Sequence, residues 1–121
     1  MNKDIINIFY FSGTGNTWWA SEHIAEEMTK HGFRANAHSI EQVTAIEAAA
    51  MIEKSSIIGL GFPIYGSYAP RIFHDFIRAL PRQKVQKPVL GFVTQMAWSG
   101  DGMNFLEEEL ISSGYHIHWA V

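Results

Sequence analysis

One stretch decides the fold: Phe9-Tyr10-Phe11-Ser12-Gly13-Thr14-Gly15-Asn16-Thr17. The apolar run that leads into it, from Ile5 to Phe11, is rich in β-branched and aromatic residues and predicts a buried strand. A loop of only Ser, Gly, Thr and Asn follows, and a helical pattern begins near Thr17. This order predicts an anion site, because the first turn of a helix has unpaired N–H groups and the positive end of the helix dipole.

The loop suits a phosphate group. Gly13 and Gly15 let the backbone approach a ligand closely, and further donors come from the side chains of Ser12, Thr14, Asn16 and Thr17. No Lys follows, as it would in a nucleoside triphosphatase, and position 18 is Trp rather than the third Gly of a dinucleotide fingerprint. Neutral donors without a cation favour a terminal phosphomonoester. The alternative is a turn that caps the helix and binds nothing.

A family resemblance rests on the same residues. Ser12, Thr14, Gly15 and Thr17 fit the pattern Ser/Thr-x-Thr-Gly-x-Thr, so the stretch resembles the FMN phosphate loop of flavodoxins. It looks most like the flavodoxin-like domains that in some proteins precede a bacterial-type ferredoxin module. The resemblance covers nearly the whole chain. It implies an FMN cofactor whose phosphate is held by Ser12, Gly13, Thr14, Gly15, Asn16 and Thr17.

Strands and helices are predicted to alternate along the chain. The predicted strands are 5–11, 33–39, 56–60, 89–94 and 115–121, and the predicted helices are 16–31, 44–53, 70–80 and 103–113. Such a series predicts a doubly wound α/β fold with a five-stranded parallel sheet. The order 2-1-3-4-5 is expected, because the second strand alternates like an edge strand. Ligands then bind at the carboxyl ends of the first and third strands.

Residues 1–121 are expected to form one flavodoxin-like FMN-binding domain. Flavodoxins end with a fifth helix, whereas this chain stops at its fifth predicted strand. Part of the sheet would then be bare, and large bare apolar faces are rare on monomers. We therefore expect either a homodimer through that face or a polypeptide that continues beyond Val121 with the missing helix and a ferredoxin-type module.

A loop is predicted after the third strand, over residues 61–69. Pro63 stiffens it, and Gly66 permits a backbone orientation closed to other residues. The resemblance implies that Pro63, Ile64, Tyr65 and Gly66 flank the flavin. Tyr65 would lie against the isoalloxazine, and the carbonyl of Gly66 would turn towards flavin N5 once that atom is protonated. The alternative is a turn with surface tyrosines.

A second loop is predicted at residues 95–102. The resemblance implies that it covers the other edge of the flavin, with Trp98 as the second stacking residue. Thr94, Gln95 and Gly100 are the candidates for polar contacts near the ring. Asp101 is expected to cap the following helix rather than to touch a ligand.

Two adjacent tryptophans stand at the start of the first helix. We expect one of Trp18 and Trp19 to pack into the core and the other to lie near the phosphate loop or on the surface. An exposed one would mark a partner surface.

Composition narrows the class of protein further. The chain has no Cys, which excludes disulfides and iron–sulfur ligation by its own residues. A net charge of −3 without a basic run argues against nucleic acid. No apolar run spans a membrane and no signal peptide is evident, so a cytoplasmic protein is expected. No metal site is expected, because His116 and His118 lack a third ligand.

The sequence thus predicts an electron carrier that shuttles electrons between redox partner proteins. No acid–base pair stands out, so no catalytic residue is assigned. The alternatives are a flavin-dependent reductase of a small substrate such as a quinone, and a non-redox domain that has lost flavin.

Overall fold

The computed structural model describes residues 4–11, 16–64, 71–79, 87–95 and 115–120. The elements in these ranges are β1 (Ile5–Tyr10), α1 (Asn16–Lys30), β2 (Arg34–Ser39), α2 (Ala45–Lys54), β3 (Ile57–Ile64), α3 (Arg71–Arg78), β4 (Lys87–Gln95) and β5 (Tyr115–Ala120). Strands and helices alternate as predicted. The helix predicted at 103–113 lies outside the described residues.

The strands form one parallel sheet in the order β2-β1-β3-β4-β5. The predicted order of β2, β1, β3 and β4 is confirmed, and β2 is an edge strand. β5 pairs with β4, with a register shift between Val89 and Leu90. The chain passes from β1 outwards to β2 and then returns to β3 on the other side of β1. The switch point, where open α/β sheets bind ligands, therefore lies between β1 and β3.

One face of the sheet is covered by α1. Ala20, Ile24 and Met28 of α1 face the sheet as predicted, and the buried members of this cluster are Ile6, Ile8, Ala25 and Phe92. β3 contributes only glycine at two central positions on this face. The side chain of Ile8 lies against Gly59, and the ring of Phe92 lies against Gly61.

The other face is covered by α2 and α3. Its buried residues are Phe9, Ile40, Ala48, Ile52, Ile58, Leu60, Phe62, Ile77 and Val89. α2 begins with a capping box, in which the Thr44 hydroxyl accepts from the Glu47 N–H at 3.1 Å and the Glu47 carboxylate accepts from the Thr44 N–H at 2.9 Å. This cap holds the start of α2 and leaves Ala48 and Ile52 facing the core.

β3 is longer than predicted, which corrects the start of the first loop. Gly61, Phe62, Pro63 and Ile64 belong to the strand and pair with β4. The Gly61 carbonyl accepts from the Phe11 N–H at 3.1 Å, so the polar backbone groups of residues 61 and 63 point towards β1. Since β1 ends at Tyr10, Pro63 needs no N–H for a ladder bond on that side.

The bare sheet face expected for lack of a fifth helix is not found at the described positions of β1, β3 and β4. On the α1 side Ile6, Ile8, Leu90 and Phe92 are all buried. Among them, Ile8 lies against Gly59 and Phe92 against Gly61 of β3. The homodimer and the continuation of the polypeptide beyond Val121 both stay predictions.

Candidate functional site

The carboxyl ends of three adjacent strands meet at one edge of the sheet. β1 ends at Tyr10, β3 at Ile64 and β4 at Gln95. The last two residues of β3, Pro63 and Ile64, pair with Thr94 and Gln95 of β4. α1 begins close to the end of β1 in sequence and hence at this edge. The structure thus places six of the predicted site residues at this edge: Asn16, Thr17, Pro63, Ile64, Thr94 and Gln95.

The remaining predicted site residues lie outside the described part of the chain. They are Ser12, Gly13, Thr14, Gly15, Tyr65, Gly66, Trp98 and Gly100. Their roles towards a cofactor stay predictions. The cap assigned to Asp101 stays one as well.

Thr17 lies in the first turn of α1 and is only 1% exposed. Its carbonyl accepts a hydrogen bond from the Ser21 hydroxyl at 2.7 Å, and Ser21 is itself fully buried. This places a small hydroxyl-bearing side chain at the positive end of the helix. Thr17 is therefore well placed to be one of the hydrogen-bond donors to a bound anion.

The electrostatics of this turn also suit an anion. The first turn of α1 contains no acidic residue, whereas α2 carries Glu47 in its first turn and uses it to cap its own N-terminus. A carboxylate in the first turn of α1 would repel a phosphate and compete for the backbone N–H groups of that turn. The residues present therefore fit a bound phosphate group at this helix end.

Tyr10 is a neighbour of the site to which the sequence pattern assigned no role. It is the last residue of β1 and is 8% exposed. Burial, and to a smaller degree the negative charge of Glu22, raise the pKa of its hydroxyl. The hydroxyl therefore stays protonated at neutral pH. Its position could have identified Tyr10 as a neighbour of the site, because Tyr10 stands at the end of a predicted strand, shortly before the loop.

Both tryptophans at the start of α1 lie on the surface, which corrects the expectation that one packs into the core. Trp18 is 51% and Trp19 is 64% exposed. The inner side of this helix is taken up by small residues, Thr17, Ser21 and Ala25, which let the helix lie close to the sheet. Large rings do not fit there.

Metal and membrane features are absent from the described part of the chain. There, no three His, Cys, Asp or Glu residues form a group that could hold a metal ion. Within the same residues no helix has the length and apolarity to cross a bilayer.

His116 and His118 lie in β5, where Ile117 pairs with Val89 and Trp119 with Leu90, so His118 is the extra residue of a bulge.

Comparison with known proteins gives two curated relatives. They are diflavin flavoprotein A 2 of Thermosynechococcus vestitus and diflavin flavoprotein A 6 of a Nostoc species, each 26% identical over 110 residues. The alignments cover 91% of this chain but only 19% of either relative. The chain therefore spans about a fifth of their length. No protein-family profile matches it.

Solved structures share the fold over nearly the whole chain. The two-electron reduced flavodoxin of Megasphaera elsdenii superposes with a TM-score of 0.81 at 23% identity, covering 96% of this chain and 83% of that one. The Flv1 flavodiiron core of Synechocystis gives 0.76 at 25% identity, covering 98% of this chain and 30% of that one. The chain has the flavodoxin-like fold, and the predicted resemblance is confirmed.

Proposed function

We propose that this chain is an FMN-binding domain that passes electrons between redox proteins. One observation carries the proposal: the acid-free first turn of α1, with Thr17 buried in it, stands at the switch point between β1 and β3. The flavoprotein names of the relatives support a flavin as the ligand.

The phosphate would be held at the start of α1. Thr17 supplies a hydroxyl there, and Ser12, Gly13, Thr14, Gly15 and Asn16 are proposed to supply the other donors. A phosphomonoester dianion gains most from such a place, because charge-assisted hydrogen bonds are about twice as strong as neutral ones. The proposed donors are all neutral, and the positive end of the helix dipole adds to the attraction of their hydrogen bonds.

The ring would lie beyond the ends of β3 and β4. These strands are direct neighbours, about 4.8 Å apart as in any sheet, so we propose that the segments after them form the two sides of one groove. Pro63 and Ile64 lead into Tyr65 and Gly66 on one side. Thr94 and Gln95 lead into Trp98 and Gly100 on the other. When bound, FMN supplies the electron-transfer chemistry, and these residues orient its ring and exclude water.

The carrier role is preferred to substrate turnover. Electron transfer needs no acid–base pair, and none stands out in the sequence. The relatives are much longer than this chain. We therefore propose, rather than infer from them, that the electron-exchange partner is a ferredoxin-type module or another redox protein. Any activity of a larger protein is likewise a proposal. The cytoplasmic location stays a prediction. Consumption of NAD(P)H with a quinone by the purified, FMN-loaded chain would favour the reductase instead.

FMN titration of the flavin-stripped protein tests the cofactor. We expect saturable quenching of flavin fluorescence. Removing one hydroxyl donor to a charged group costs about 1.5–3 kcal/mol, so Thr17→Val and Thr14→Val should each raise the FMN Kd by about ten- to hundredfold. Thr29→Val is the matched control, because the Thr29 hydroxyl bonds the Ala25 carbonyl near the far end of the same helix. It should leave the Kd unchanged.

Trp98→Ala tests the ring contact separately. It should weaken FMN binding by less than the phosphate variants, since an offset stack contributes about 0.5–1.5 kcal/mol beyond buried area. A folded protein without saturable quenching would contradict the cofactor assignment.

A further inference from the structure

A flat aromatic surface stands on the outer side of α1. Trp19 is 64% exposed and stacks on His23, with ring centroids 5.2 Å apart and planes 3° from parallel. Trp18, beside it, is half exposed. Because the stack already holds both rings in place, little side-chain freedom remains to be lost when a partner binds. Exposed tryptophans of this kind are the residues most enriched at binding hot spots.

The same side of α1 is acidic. Glu22 and Glu26 are exposed next to the aromatic surface, and Glu27 follows. Lys30, the one lysine or arginine of α1, is bound to Glu27 with a nitrogen–oxygen distance of 3.1 Å. That pair is neutral overall, so Glu22 and Glu26 leave the face with a net negative charge. We call the set Trp18, Trp19, Glu22, His23 and Glu26 the α1 outer face.

The charge of the α1 outer face selects its occupant. A nucleic acid or an anionic membrane would meet the two carboxylates with like charge. A second copy of this chain would place the same carboxylates against each other. A protein surface with lysine or arginine around an apolar centre is complementary on both counts.

We propose that the α1 outer face docks a basic redox protein through the two tryptophans. Trp18 and Trp19 follow Thr17 directly, so a protein seated there lies beside the carboxyl edge of the sheet. The proposed docking contact is supported by the exposed rings and the negative charge of the α1 outer face alone. That its partner exchanges electrons rests on the proposed function.

Oxidised cytochrome c, a lysine-rich haem protein, is the probe. It is titrated at low ionic strength into the flavin-free, isotope-labelled chain, and the indole N–H signals of the four tryptophans are followed. We expect the signals of Trp18 and Trp19 to shift saturably, and the binding to weaken with salt. An acidic haem protein, cytochrome b5, should produce no such shift. No saturable shift with cytochrome c, or an equal shift with cytochrome b5, overturns the proposal.

Matched variants separate the tryptophan contact from generic stickiness. Trp19→Ala should raise the Kd by about tenfold or more, as expected of a hot spot. Ile46→Ala removes another exposed apolar side chain, 84% exposed at the start of α2, and should change the Kd by less than about twofold. Equal effects of the two variants overturn the proposal.

The charge arm uses two double variants with the same change in net charge. Glu22→Gln with Glu26→Gln should weaken binding and flatten its salt dependence, whereas Glu41→Gln with Glu53→Gln should do so far less. Sedimentation is run on the same samples. Self-association that Trp19→Ala abolishes would assign the surface to a second copy and overturn the proposal.

The FMN titration on the Trp19→Ala protein keeps the two proposals apart. An unchanged FMN Kd together with lost docking supports the docking face. Docking by a wild-type protein that binds no FMN would contradict the proposed function and leave the face in place.

Discussion

At the scale of single residues, the buried amide of Asn7 ties three elements together. Its Nδ2 donates to the Ser55 hydroxyl at 2.9 Å and to the Met51 carbonyl at 3.3 Å, both at the end of α2. Its Oδ1 lies 2.9 Å from Nε2 of His38 in β2. An amide oxygen can only accept, so His38 must carry a proton on Nε2. The network is satisfied in only one arrangement.

Asn7→Ala should therefore destabilise the fold. The substitution leaves the Nε2–H of His38 and the Ser55 hydroxyl without this partner, so the free energy of unfolding should fall by about 1–3 kcal/mol. Urea unfolding followed by circular dichroism measures it. Asn36→Ala is the control, since Asn36 pairs with Asn7 across the strands but is exposed, and it should cost no more than about 0.5 kcal/mol. Similar losses from both variants would contradict the role of the network.

His38 should make stability depend on pH. Burial lowers the pKa of its imidazole below the ordinary value of 6.5, and the charge of Glu22 opposes this only in part. The unfolded chain then binds more protons than the folded one between the two pKa values. The stabilisation of the folded state by neutral His38 is therefore complete above pH 6.5, and it is lost as the pH falls through the pKa of His38 in the folded protein.

The variant His38→Gln isolates this effect, because it keeps a neutral donor. Wild type should lose stability relative to His38→Gln as the pH is lowered from about 7.5 to 5.5. The measurement is urea unfolding of both proteins across that range. Parallel curves would contradict the assignment.

At the scale of elements, a glycine in β3 makes room for an aromatic ring of β4. A Cβ on Gly61 would lie 2.2 Å from the nearest atom of the Phe92 ring, far inside contact distance. Both residues stand in paired central strands, so the backbone cannot move away freely. The absence of a side chain at position 61 is what lets Phe92 cover this part of the sheet.

Gly61→Ala should lower the free energy of unfolding by about 1–3 kcal/mol, the usual cost of overpacking. The cause can be checked in a double-variant cycle with Phe92→Leu, which removes the ring. The cost of Gly61→Ala should then shrink, and urea unfolding of the four proteins gives the coupling. A cost that stays the same in the Phe92→Leu background would place the strain elsewhere.

The elements themselves were largely predictable from local patterns. The fourfold spacing of Ala20, Ile24 and Met28 identified the inner side of α1, and Thr44 marked the start of α2. The end of β3 was missed because Pro63 and its glycine neighbours are typical of loops. β3 can include Pro63 because the neighbouring strand β1 has already ended, and this depends on the tertiary arrangement of the strands. The bonds of Asn7 were missed for the same reason, since its partners lie 31 to 48 residues away.

At the scale of the whole molecule, the sheet orders the site. The loop pattern predicted the start of α1, and the alternation of elements predicted the switch point. Both were confirmed. The side chains around a ring could not be fixed from sequence, because their mutual placement depends on loops from separate strands. One of Trp18 and Trp19 was expected in the core because of its large apolar ring, so the exposure of both was missed.

Riboflavin is FMN without its phosphate, so comparing the two ligands isolates the proposed contact between α1 and the phosphate. The measurement is therefore the ratio of the riboflavin Kd to the FMN Kd, in the wild type and in Thr17→Val. Several charge-assisted hydrogen bonds should make the wild-type ratio about a hundredfold or more, and Thr17→Val should lower it by weakening FMN alone. A ratio near one, or an equal loss of both ligands in Thr17→Val, would contradict the account.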